Sequence, residues 1–179
     1  MKHIAALTFF AAAPALADCP PVPDIETEQA RLIAEMRIAP NELAAQRLSN
    51  ALWALWVQAP DGKAQNLLDT AMSAHRSFDH AAALTTLDEL IAYCPDYAEG
   101  YNQRAFVNYT SANYEAALLD LDRALERRPE HTGALTGKAL TLMGLDRHEQ
   151  AQRILRDALK LNPWLAERRF LTDPDAKDL

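Results

Sequence analysis

The residues best suited to chemistry are 5 histidines, 2 cysteines and 25 acidic side chains, and their spacing gives them little to do. His75 and His80 stand five apart across an expected bend, whereas two ligands on one helical face need a separation of four. The carboxylates mostly fall on polar helix faces. Neither a Gly-x-Ser-x-Gly nucleophile turn nor a phosphate loop occurs, and with only 5 glycines phosphate-cradling turns are scarce. No catalytic residue, metal or cofactor is expected. Cys19 and Cys94 lack the Cys-x-x-Cys spacing of a redox pair. They are either a disulfide tying the N-terminal arm to the body or two unrelated cysteines, since spacing alone cannot place two sulfurs within reach of each other.

The N-terminus bears on that choice. "MKHIAALTFFAAAPALADC" has a basic start, an apolar run too short to span a bilayer, and an Ala-Leu-Ala end. Residues 1–17 read as a secretory signal peptide cleaved between Ala17 and Asp18. Asp18 stands where a lipidated cysteine would need a small residue, so Cys19 is not expected to carry an anchor. Removing the leader takes away Lys2, leaving 17 basic against 25 acidic residues, a formal charge of −8. Nucleic-acid binders carry a basic footprint, so this balance argues against one. No later segment is apolar enough to insert in a membrane. The expected location is an oxidising exported compartment, most simply a bacterial periplasm, where a disulfide persists.

The elements that would position any site emerge from a 34-residue period. Pro95, Pro129 and Pro163 share one phase, as do Ala71, Ala105 and Ala139, then Ala83, Ala117 and Ala151. Leu87, Leu121 and Leu155 recur beside them. Small residues at fixed positions let two antiparallel helices approach, and the larger ones fill the space around the contact. The units run 64–97, 98–131 and 132–163, each a helix, a bend, a second helix and a proline. His80, Tyr114 and His148 share a position at the bend, so packing there accounts for both histidines. Asp96 and Glu99 have capping-box spacing, and Asn113 is a candidate cap. Residues 18–63 read as a Pro-rich arm and a helical hairpin that caps the first unit, its stripe of Leu43, Leu48, Leu52, Leu55 and Trp56 facing a core. Trp53 and Trp56 read as core anchors. Residues 164–179 read as a capping helix begun at Pro163, with Trp164, Leu165 and Phe170 covering the last unit, and a loose tail.

This pattern resembles the tetratricopeptide repeat. The second unit carries it through Tyr101, Ala105, Ala117, Leu121, Ala124 and Pro129, and the third through Leu135, Ala139, Ala151, Leu155, Ala158 and Pro163. The first is degenerate, with Leu90 where a small residue is usual. The resemblance implies an all-α, right-handed α-solenoid of antiparallel hairpins with a concave groove lined by the first helix of each unit. Carried over by position, the groove residues are Met72, His75 and Arg76, then Asn102, Phe106 and Tyr109, then Thr136, Leu140 and Met143. Such a surface suits a peptide held by apolar anchors, with Asn102 bonding its backbone. Members of the family that grip a chaperone's C-terminal carboxylate place Lys and Asn where this chain has Leu68 and Met72, Asn102 and Phe106, and Thr136 and Leu140, so that clamp is missing. Arg104 is expected to pair with Asp120 or Asp122, and Arg127 and Arg128 to be solvated at a helix end. The expected function is a non-catalytic protein-binding scaffold. The alternative is an accessory subunit of a periplasmic enzyme, of cytochrome maturation or of envelope assembly.

Overall fold

Eight helices and one 3-10 turn make up the computed structural model over residues 18–172; the leader and the tail from residue 173 lie outside the described residues. Three hairpins follow the 34-residue period: α3 (Gly62–Arg76) with α4 (His80–Tyr93), α5 (Ala98–Thr110) with α6 (Tyr114–Arg127), and α7 (Thr132–Gly144) with α8 (His148–Leu161). Each packs on the next, giving an all-α solenoid. The recurring alanines Ala71, Ala105, Ala139, Ala83, Ala117 and Ala151 are all buried where the helices touch.

The bends obey the same period. Phe78, Ala112 and Asp146, spaced by 34, are the described non-glycine residues with positive φ, at 62°, 58° and 58°. Each lets the following amide reach back past the helix end, as Asp79 N–H does to the Ala74 carbonyl at 2.9 Å. Asp79 then caps α4, its carboxylate accepting from Ala82 N–H at 3.0 Å. Asn113 stands at the matching position without a side-chain cap bond, and α5 starts at Tyr97 rather than through a capping box. The Glu99 carboxylate is drawn elsewhere, to His131.

The N-terminal hairpin, α1 (Glu26–Arg37) and α2 (Glu42–Trp56), corrects the sequence reading. It does not cap the first repeat. It folds back over the concave face and covers the last one, so that Leu32, Ile33, Met36, Ala45, Leu52 and Trp56 share a core with Leu135, Ala158 and Leu161. Arg37 Nε donates to the Lys160 carbonyl at 3.0 Å, and Asn162 Nδ2 to Ser49 Oγ at 3.3 Å. Leu43, assigned to the buried stripe, is exposed at the hairpin's turn.

With its apolar face already covered by α1, the last repeat has no need of a full capping helix. Asn162 Oδ1 accepts from Trp164 N–H at 3.0 Å, turning the chain after α8, and only the 3-10 turn Ala166–Phe170 follows. The first repeat is finished instead by the arm and by the link after α2: Cys19 is joined to Cys94 in a disulfide, Val22 of the arm packs on the α3–α4 core, and so do Val57 and Ala59 of the link.

A cavity roofed by the N-terminal hairpin

The joint between hairpin and solenoid is a buried polar cluster. His131 Nδ1 accepts from Ala134 N–H at 3.2 Å and so caps α7. The proton therefore resides on Nε2, which donates to Glu99 Oε2 at 2.8 Å. Both side chains are essentially inaccessible. The Trp56 indole stacks on the His131 ring with centroids 3.9 Å apart, and its Nε1 donates to Gln29 Oε1 at 2.9 Å. The Tyr97 hydroxyl donates to the Trp56 carbonyl at 2.9 Å; burial, followed by the nearby Glu99 carboxylate, pushes that phenol far above its ordinary range. Because buried polar groups cost free energy unless paired, this cluster fixes where α2 ends on the repeats.

Beyond Trp56, α2 stands off the concave helices and leaves a cavity of about 480 Å³. From α2 come Ser49, Asn50 and Trp53; from α5, Asn102, Phe106 and Tyr109; from α7, Thr136, Leu140 and Thr141. Leu165 and Glu167, after α8, add to the lining. Trp53 and Phe106, which face this one cavity, stay 48% and 49% exposed. Trp53 is thus not the core anchor its spacing implied, while Trp56 is buried.

Of the nine residues carried over by position, five line this cavity: Asn102, Phe106, Tyr109, Thr136 and Leu140. Thr136 is turned inward, its hydroxyl donating to the Thr132 carbonyl at 2.8 Å, and Asn102 Nδ2 donates to Glu99 Oε1 at 3.2 Å. Met72 packs on the first-repeat core, Arg76 is exposed, and Met143 lies outside the lining. His75 is outside the lining but packs beside it, its ring 5.2 Å from His80 and 4.9 Å from Phe106. Burial and then the neighbouring His80 charge hold its pKa below the usual 6.5.

The cations have structural duties. Arg104 makes two bonds to Asp120, at 2.6 and 2.8 Å, and one to Asp88 at 2.6 Å. Arg127 is not merely solvated: it donates to the Pro95 carbonyl at 2.6 Å and lies 4.3 Å from the Tyr101 ring centre. Arg128 is half-buried beside Gln29 of the hairpin, and burial lowers its pKa. Among the described residues no cluster of three His, Cys, Asp or Glu could hold a metal ion, and no helix is long and apolar enough to cross a membrane.

Repeating hairpins with this geometry define a solenoid of the tetratricopeptide class, and comparison with known proteins agrees. The tetratricopeptide repeat family model matches residues 109–163. A TPR repeat-containing protein of Rhizobium etli is 36% identical over 98 residues, covering 55% of this chain and 48% of that protein. DnaJ homolog subfamily C member 3 of Gallus gallus is 32% identical over 98 residues, covering 55% of this chain and 20% of its own length. The chain thus spans about half of one curated relative and a fifth of the other. Among solved structures, the Arabidopsis OM64 TPR domain superposes with a TM-score of 0.59 at 18% identity, covering 61% of this chain and 90% of its own. The TPR2B domain of yeast Sti1, solved in a pHsp70 complex, gives 0.57 at 21%, covering 62% and 91%. MamA gives 0.53 at 16%, covering 84% and 78%. The chain thus resembles tetratricopeptide-repeat proteins in sequence over part of its length and in fold across its three hairpins.

Proposed function

We propose that this protein is an exported, non-catalytic interaction module of the bacterial periplasm that holds a polypeptide segment of another protein in its concave groove. One observation carries the reading: Trp53 and Phe106, from two different elements, are left half-exposed in one cavity although burial would stabilise both. Large aromatics around a concave space form the kind of surface where a few side chains supply most of a binding energy. The yeast Sti1 domain of similar fold, solved in complex with pHsp70, supports a protein partner. The leader-like N-terminus and the Cys19–Cys94 disulfide support the compartment.

The guest differs in chemistry from an acidic chain terminus. Among the described residues no Lys or Arg lines the cavity, so no cation of theirs would hold a carboxylate there. The test is a pull-down from envelope extract with wild type and with Trp53→Ala plus Phe106→Ala, both at native helicity. Recovery of one protein in near-stoichiometric amount by wild type alone is expected; equal recovery by both would remove the groove from the account.

A further inference from the structure

The shape of the cavity says more about the guest than that it is a peptide. Here α2 already lies across the concave helices, where a guest helix would otherwise rest, and the remaining 480 Å³ is the volume of a small-ligand site. It admits one large side chain with the backbone beside it.

Two polar features interrupt the apolar wall. Thr141 on α7 is fully buried, and its hydroxyl has no hydrogen-bond partner although the residue lines the cavity. Thr136, five residues earlier, satisfies its own hydroxyl against a carbonyl four residues back, so the helix offers that solution and Thr141 does not take it. A buried hydroxyl left unpaired costs free energy that a guest with a polar edge recovers and a wholly apolar guest does not. The second feature is Glu167, the one charged side chain that the described residues contribute to the lining.

From these we propose that the cavity is a recognition pocket for an internal peptide segment carrying a tyrosine or tryptophan next to a basic residue. The guest ring lies between Trp53 and Phe106, its phenol or indole N–H meets the Thr141 hydroxyl, and the neighbouring cation faces Glu167. This specifies, and rests on, the peptide-binding reading above.

Amide chemical-shift mapping on the full chain tests it with three capped dipeptides: acetyl-Tyr-Lys-amide, acetyl-Phe-Lys-amide and acetyl-Tyr-Glu-amide. The expected result is perturbation at Asn50, Trp53, Phe106, Thr141 and Glu167, with the Tyr-Lys probe binding at least ~3-fold more tightly than either other, in the millimolar range usual for so few atoms. Thr141→Val, which keeps the shape, should erase the preference for Tyr over Phe while leaving the melting temperature unchanged or higher. Glu167→Gln should erase the preference for Lys over Glu. Silent cavity amides at the solubility limit, equal binding of all three probes, or preferences that survive in both variants would each overturn the pocket. Perturbation confined to Met72, His75 and Arg76 would overturn it too, while leaving the wider groove reading in place.

Discussion

At Phe78 the side chain does two costly things at once: its backbone is left-handed with φ of 62°, and its ring is 86% exposed. A non-glycine residue in that region costs about 1–2 kcal/mol. Phe78→Gly is therefore expected to raise stability by about 1 kcal/mol in urea titrations, as is Ala112→Gly, which shares the bend geometry. A loss in both would mean that the bends are held by something other than backbone conformation. Gly144 gives the opposite case. A Cβ there would meet the Tyr114 ring at 2.8 Å, so Gly144→Ala should cost about 1–3 kcal/mol through overpacking, and an unchanged urea midpoint would contradict that contact. His75 gives a pH test. Its folded pKa lies below 6.5, so the unfolded chain takes up the proton first as pH falls. The associated stability is whole above that value and is lost on acidification toward the lower folded pKa. Wild type should thus lose stability faster than His75→Phe between about pH 7.5 and 5.5; parallel curves would show that the histidine pair does not matter. At this scale the sequence set Phe106, Tyr109 and Leu140 on the concave side, because the repeat phase gives that side of α5 and α7, and all three line the cavity. It missed Trp53: in α2, periodicity reveals a buried stripe but not that the adjacent side faces a cavity. Glu167 carried no signal, and Leu165 was read only as a cover for the last unit, since their place follows from how the chain turns after α8.

Among the elements, the repeats were legible because proline, small residues and bends recur together, and each has a physical reason to sit where it does. The C-terminal cap was not. Trp164, Leu165 and Phe170 look like a helix face after Pro163, yet the Asn162 side chain captures the Trp164 amide and diverts the chain. The disulfide matters most at this scale. Cys19 and Cys94 are 75 apart in sequence, and the loop they close contains the whole N-terminal hairpin. Chain-entropy arguments assign a loop of this length about 4 kcal/mol. Cys19→Ser plus Cys94→Ser should accordingly lower the melting temperature by roughly 10 °C in calorimetry. A shift of a degree or two would mean that packing alone fixes the arm.

For the molecule as a whole, the hairpin changes what kind of object the solenoid is. An open repeat array has two exposed ends, and its terminal units fray independently. Here the element that comes first in sequence covers the last repeat, and the arm bridged at Cys94 finishes the first, so both ends are tied to one N-terminal segment. The same crossing turns an open groove into a roofed cavity. None of this shows in a 34-residue period, which says how units stack but not which end a non-repeating hairpin covers. The contact that decides it is Trp56 on His131, with ring centroids 3.9 Å apart across elements 75 residues distant in sequence. In a NOESY spectrum of the intact, oxidised protein, the Trp56 indole protons should show strong cross-peaks to the His131 ring. Their absence, with the α2 protons instead contacting only α3, would return the hairpin to the first repeat, open the groove and contradict the roofed cavity.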